Sequence, residues 1–325
     1  MRNLITGGAG FIGSHLAEEL LRRKEEVVVI DNLSTGSLKN IEHLKSNARF
    51  SYHIDSIMNR NLMERLVKDC DTVYHLAAAV GVQYIIDHTL ESITTNVSGT
   101  EIVLELASRL GGKKVILAST SEIYGKDRPG KQVFTEGDDR VLGDTVISRW
   151  SYSCTKALDE FLALAYWREK KLPVTIVRFF NTCGPRQTGR YGMVVPRFIK
   201  QALCNEPITV YSDGKQTRCF TDVNDAVQAI VMLAKNKKAV GEVFNIGNPN
   251  NKITMKDLAI KIKELTLSKS VIRHISYEEA YKEGFEDMRH REPNISKLKK
   301  FTAFTPKIKM DEMLSSIIDH VKYGK

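Results

Sequence analysis

A chain of 325 residues, 42% hydrophobic and 27% charged, has material for one large domain or two closely packed ones and is too apolar for extended disorder. The formal charge is +9, but the lysines are spread along the chain rather than gathered with aromatics into one block. That argues against nucleic acid and suits an enzyme whose substrates carry phosphates. No run approaches the roughly 18 apolar residues of a membrane span, so a cytoplasmic protein without membrane contact is expected. Cys70, Cys154, Cys183, Cys204 and Cys219 are scattered, without C-x-x-C spacing, and read as reduced thiols. The histidines show no ligand spacing either, so no metal is expected.

The first apolar run, "RNLIT", leads into "GGAGFIGSHLAEELL". Gly7 permits a tight turn, Gly10 lets the backbone approach a pyrophosphate at a helix N-terminus, and Gly13 lets that helix pack closely on the strand. Ile12, Leu16 and Leu20 mark the helix's buried face. A second apolar run, "EVVVID", ends in Asp31 at the distance where a carboxylate takes hydrogen bonds from an adenosine ribose diol and repels a 2′-phosphate. The pattern therefore points to NAD rather than NADP. "RFSYHID" ends in Asp55, which either lies beside the adenine or merely caps the strand. "TVYHLAA", "KKVILAST" and "VTIVRFF" continue the series, separated by helical stretches such as Leu158, Phe161, Leu162 and Ala165 at i, i+3, i+4 and i+7. Strand and helix in alternation predict an α/β fold: a Rossmann-type, doubly wound parallel sheet. Residues 1–180 form the predicted NAD-binding domain, with a returning strand near 242–247 in "GEVFNIG". Residues 181–325 are assigned mainly to a smaller α/β substrate-binding domain.

Two stretches carry chemistry. "ASTSEIYG" puts Thr120, Ser121 and Glu122 at the end of a buried strand, where a structural loop has no need of a carboxylate beside two hydroxyls. "SRWSYSCTKALDEF" puts Tyr152 and Lys156 four apart on one helical face. A phenol is a poor base at neutral pH. The lysine ammonium, with a positive nicotinamide nearby, is expected to favour the phenolate, so that Tyr152 takes a hydroxyl proton while hydride leaves the same carbon.

Gly7-x-x-Gly10-x-x-Gly13, Thr120 and Tyr152-x-x-x-Lys156 together resemble the extended short-chain dehydrogenase/reductase family, in the branch that acts on nucleotide sugars. The likeness runs over essentially the whole chain. It implies NAD held by Gly7, Gly10, Phe11, Ile12, Gly13, Asp31, Asn32, Asp55, Ser56, Leu76, Ala77, Ala78, Asn96, Tyr152 and Lys156. It also implies a homodimer built from two long helices of each subunit. Thr120 would hydrogen-bond the sugar hydroxyl being oxidised. Tyr84, Asn181, the loop through Arg186, Arg218 and Arg291 would bind the nucleotide sugar. Among members of this branch, "STSE-x-YG", "FNT-x-GPR", "DGKQTRCFTDV" and "EGFEDMRHREPNIS" resemble UDP-glucuronate decarboxylases, while the loop "TGRYGMVVPRF" departs from them. Oxidation at carbon 4, followed by loss of the carboxylate, is the implied reaction on UDP-glucuronate. Ser121 would hold the sugar, Glu122 would supply the proton that replaces the carboxylate, and Arg291 would meet the acidic group. A UDP-sugar 4-epimerase is the alternative, a 4,6-dehydratase a weaker one. A NAD-sensing module without catalysis is the non-enzyme alternative, against which the presence of Thr120, Tyr152 and Lys156 counts.

Overall fold

A computed structural model of the chain describes residues 1–126, 130–189, 193–280 and 288–324. β1 (Arg2–Thr6), β2 (Glu26–Asp31), β3 (Phe50–Ile54), β4 (Thr72–His75) and β5 (Lys114–Thr120) alternate with α1 (Phe11–Arg22), α2 (Arg60–Lys68), α3 (Val82–Asp87) and α4 (Thr89–Arg109). The short β6 (Val133–Phe134) precedes the long α5 (Arg149–Lys170), and β7 (Val174–Phe179) returns to the sheet. Beyond it lie β8 (Thr182–Cys183), α6 (Val194–Leu203), β9 (Ile208–Tyr211), β10 (Thr217–Cys219) and β11 (Thr221–Asp222). There follow α7 (Val223–Lys235), β12 (Val243–Ile246), β13 (Lys252–Thr254), α8 (Met255–Thr266), β14 (Ile272–Ile275) and β15 (His290–Pro293).

The main sheet is parallel throughout, in the order β12-β7-β5-β4-β1-β2-β3. Every expected strand is present in it, including the one in "GEVFNIG". The Val- and Ile-rich strands are buried because helices cover both faces. On one face α1 and α7 bury Leu16, Leu20, Val227 and Ile230; on the other α2, α4 and α5 bury Met63, Val67, Val103, Leu104 and Ala163. The strand order reverses between β1 and β4, and the crevice this opens at the strands' carboxyl ends is where an α/β sheet binds its ligand. A third cluster, with Phe198, Ile199, Val210, Phe220, Leu258 and Ile262, packs α6 and α8 against the short strands. Beside it stands a small sheet in the order β13-β10-β15-β6.

The stripe Leu158–Phe161–Leu162–Ala165 does form a helix face, but only its edge meets the core: Leu162 packs on it, while Leu158 is 50% and Phe161 58% exposed. The inward face of α5 carries Ala157, Glu160 and Ala163 instead. Glu160 is buried because Arg178 on β7 meets it through two hydrogen bonds of 2.9 and 2.7 Å. The same guanidinium donates to the Tyr124 hydroxyl, which donates to Asn245 on β12, and Ser119 donates to Glu160 at 2.5 Å. Removing one member of such a pair leaves a buried charge uncompensated. Arg178→Met should therefore cost about 3–5 kcal/mol in urea unfolding; a loss below about 1 kcal/mol would show that the network does not hold the sheet edge.

Candidate active site

The crevice is a cavity of about 470 Å³. At one end the glycine turn shapes it. Gly7 has φ +71°, and a Cβ there would stand 2.8 Å from the Ala77 amide nitrogen; one on Gly13 would stand 2.3 Å from the Gly7 carbonyl. Helix α1 begins at Gly10 with no side-chain cap and no acidic residue in its first turn, so its amide groups are left for an anion. Gly7, Gly10, Phe11, Ile12, Gly13, Asp31, Asn32, Asp55, Ser56, Leu76, Ala77 and Ala78 all line this end. The Asp31 carboxylate accepts from the amides of Ala9 (2.9 Å) and Leu33 (2.8 Å), which ties the glycine turn to the loop after β2. Each oxygen keeps a further lone pair for a ribose hydroxyl. Asp55 accepts from Ser56 and Asn59 as a cap and also faces the cavity. These residues fit NAD.

Two expected contacts lie elsewhere. Asn96 does not line the cavity; it exchanges hydrogen bonds with the Ala79 backbone and so fixes the wall after β4. Arg186 points away to α1, where its guanidinium grips both carboxylate oxygens of Glu18 at 2.9 and 2.8 Å and donates to the Asn40 carbonyl. A fork matched to a carboxylate outweighs the pull of a pocket it cannot reach. Its neighbours Asn181, Thr182 and Gln187 remain in the cavity wall. The expected loop residues Arg190, Tyr191 and Gly192, and positions 283–287 of "EGFEDMRHREPNIS", lie outside the described residues.

At the reacting end, β5 stops in one 3₁₀ turn, Ser121–Tyr124, whose cap is the Thr120 hydroxyl accepting from the Glu122 amide at 3.2 Å. Ser153, near the start of α5, donates to the Glu122 carbonyl at 2.8 Å and pins this turn to the helix that carries Tyr152. Thr120, Ser121, Glu122, Tyr152 and Lys156 thus line the same cavity, as do Tyr84, Asn181, Arg218 and Arg291. Parallel pairing of β10 with β15 sets Arg218 directly beside Arg291, although they are far apart in sequence. Arg291 donates to Glu122 at 3.3 Å and to the Asn181 side chain at 3.3 Å.

Arg149 completes the cluster, its guanidinium 3.9 Å from the Glu122 carboxylate and its side chain only 4% exposed. Sequence reasoning missed it, although it stands three residues before Tyr152 on the same helix face. It also missed Tyr211, over whose ring the Arg197 guanidinium lies at 4.0 Å, and for which the sequence offers no signal. Burial alone would raise the Glu122 pKa, but Arg149, Arg291 and Arg218 more than cancel it and hold the carboxyl below its ordinary value. Glu122 is therefore an anion in the free protein.

Tyr152 behaves differently from the expectation. Burial first, then the charges of Glu122 and Asp159, push its phenol above the ordinary value; only a hydrogen bond with Thr120 opposes them. The Lys156 ammonium is engaged by Asp159 at 2.8 Å, which offsets its field at the phenol. The positive charge that would favour a phenolate must come in with the ligand.

A family model described as GDP-mannose 4,6 dehydratase matches residues 4–317. UDP-N-acetyl-alpha-D-glucosaminuronate decarboxylase of Bacillus cytotoxicus is 46% identical over 318 residues, covering 98% of this chain and 96% of that protein. UDP-glucuronic acid decarboxylase 1 of Arabidopsis thaliana is 38% identical over 321 residues, covering 98% of this chain and 69% of that protein. The crystal structure of UDP-glucuronic acid 4-epimerase from Bacillus cereus, with UDP-glucuronic acid and NAD, matches with a TM-score of 0.89 at 30% identity over the full length of both chains. The glycine turn, the Thr120–Tyr152–Lys156 wall and these likenesses agree: the chain belongs to the GDP-mannose 4,6 dehydratase family, the NAD-dependent, nucleotide-sugar-modifying branch of the extended short-chain dehydrogenases/reductases.

Proposed function

We propose that this protein decarboxylates a UDP-linked glucuronate-type sugar. The observation that carries this reading is the buried cluster of Arg149, Arg218 and Arg291 around Glu122, a site charged to receive an acidic sugar. The relatives at 46% and 38% identity, both named as decarboxylases of UDP-uronates, support it. The first favours the 2-acetamido sugar over UDP-glucuronate itself. Residues 1–180, with α7 and β12 returning to their sheet, hold NAD, and the remainder mainly holds the nucleotide sugar. Asp31 selects NAD over NADP by repelling a 2′-phosphate. Free thiols at all five cysteines suit a reducing cytoplasm.

When bound, NAD supplies hydride acceptance and return at sugar carbon 4. Thr120 orients the carbon 4 hydroxyl and Tyr152 removes its proton. The ketone so formed is β to the carboxylate. The bond from carbon 5 to the carboxyl carbon then breaks, carbon dioxide leaves, and the electron pair passes into the enolate. Glu122 delivers the proton to carbon 5. It is ionised in the free site, and the uronate supplies the reason it gains a proton: an arriving carboxylate competes for Arg291 and Arg149 and stands beside Glu122 as a like charge. Both effects raise the Glu122 pKa. The acid is thus made only when a carboxylate is present to be lost.

Binding of the UDP-uronate should accordingly take up close to one proton per site, read from calorimetry in buffers of different ionisation enthalpy, and Glu122→Gln should abolish the uptake. With carboxyl-labelled UDP-N-acetylglucosaminuronate and UDP-glucuronate, label should appear as trapped carbon dioxide. Retention of all label together with a 4-epimer in the nucleotide-sugar pool would replace this reading by an epimerase, the activity named for the structural neighbour. Tyr152→Phe should keep the fold and NAD binding while slowing formation of reduced cofactor about a hundred- to ten-thousandfold; near-normal rates would remove Tyr152 from the reaction.

The same reading makes the protein a homodimer through α4 and α5, which pack on each other and leave Leu90 (80%), Leu158 (50%) and Phe161 (58%) exposed. Apolar side chains of this size on adjoining helices suit a four-helix interface. Leu158→Glu with Phe161→Glu should convert the protein to monomer in light scattering; an unchanged mass would exclude this face.

A further inference from the structure

Glu18, midway along α1, is the meeting point of two loops that leave different strands. The Arg186 guanidinium grips its carboxylate oxygens at 2.9 and 2.8 Å, and the same Nη1 donates to the Asn40 carbonyl at 3.1 Å. His43 Nε2 lies 2.6 Å from the same carboxylate. Asn40 ends a segment that leaves β2 and lines the cofactor end with Asn32, Ser34 and Thr35. That segment is laid over the glycine turn: the Asn40 side chain and the Ser37 amide both donate to the Ala9 carbonyl, at 2.8 and 3.0 Å. Arg186 belongs to the other loop, whose Asn181, Thr182, Cys183 and Gln187 line the cavity. Glu18, Asn40, His43 and Arg186 themselves lie outside it.

The Arg186 backbone is held against its own preference. Gln187 donates to the Gly184 carbonyl at 3.3 Å, closing a turn with Pro185 second and Arg186 third, where φ is +70°. Such a turn favours glycine or asparagine in its third place. An arginine stays there because its side chain has a partner. The pair is partly in water, with side-chain exposures of 15% for Arg186 and 35% for Glu18, so its gain is modest and of the same order as the backbone cost. The clasp therefore closes by a narrow margin and has two states. Shut, it ties both loops to α1; released, it lets Arg186 relax to an ordinary backbone conformation. A ligand that orders either loop favours the shut state and so prepares the other loop. We propose that the Glu18–Arg186 clasp couples the two ends of the cavity, so that NAD and the UDP-linked sugar each tighten the binding of the other. Glu18 and Arg186 are positioning residues, acting through the two loops from outside the cavity.

This inference rests on the reading of the cavity as a site for NAD and a UDP-sugar, but its readout is binding rather than turnover. Arg186→Gly suits the positive φ of the turn and removes only the side chain, so the fold is kept; Glu18→Gln keeps the shape and removes the charge. Full-length protein loaded with NAD is dialysed to equilibrium against graded NAD, with and without saturating UDP. UDP binding is measured by calorimetry at saturating and at sub-saturating NAD. In the unaltered protein each ligand should raise the affinity for the other by the same factor, about 5- to 150-fold. In both variants that factor should fall to within about twofold of unity. A pair that is only structural would lower the melting temperature and leave the factor as it was. A factor that survives in Arg186→Gly overturns the proposal, and so does a factor of one in the unaltered protein. Failure of UDP to bind at all, with NAD binding intact, would instead remove the UDP-sugar reading, and this inference with it.

Discussion

The active-site wall depends on the buried guanidinium of Arg178. It reaches Glu160 on α5 and Tyr124 in the turn after β5, and through Tyr124 it reaches Asn245 on β12. Ser119 closes the circuit on Glu160, one residue before Thr120. Of two charges buried in this way, each would be left uncompensated without its partner. The geometry of Thr120, Glu122 and Tyr152 is therefore set largely from beneath: Arg178, Glu160, Tyr124 and Asn245 do not line the cavity, and Ser119 links them to its wall. Ser153 adds the direct tie between the Glu122 turn and the helix that carries Tyr152.

Above that foundation the two ends of the cavity have opposite electrostatic characters. At the cofactor end Asp31 is a buried carboxylate satisfied by amide groups, next to a helix start that offers N–H groups to an anion. At the reacting end three arginines converge on one glutamate. In the proposed reaction an acidic sugar would enter by exchanging partners with Glu122 rather than by adding a contact, which would couple its binding to a proton. An uncharged hexose offers no such exchange. The same fold holds an epimerase of UDP-glucuronic acid at a TM-score of 0.89, so the fold does not separate the reactions.

Arg186 and the Leu158–Phe161 stripe carry a related lesson. Both have the residue types of a site or a core, and neither lies in one. Arg186 fixes the loop of Asn181 and Gln187 onto α1 through Glu18, so it shapes the sugar side of the cavity without lining it. Leu158 and Phe161 follow the helical period of a buried face, yet the sheet lies on the other side of α5. Periodicity reports that a helix has an apolar stripe, but it does not say which surface covers it.

Local chemistry was legible in the sequence. Gly7, Gly10 and Gly13 between a strand and a helix, Asp31 at the end of the next strand, Thr120 and Tyr152-x-x-x-Lys156 all act through short-range backbone geometry, and their spacing specified the sheet and the cofactor end. What the tertiary structure decided is which charges face one another. Arg291 reaches Glu122 because β15 pairs with β10, and Arg149 joins them because α5 starts beside the Glu122 turn. Strand and helix propensities act over a few residues. Buried charge pairs are chosen by long-range packing, where the cost of desolvation makes each group settle on whatever partner the fold brings within reach.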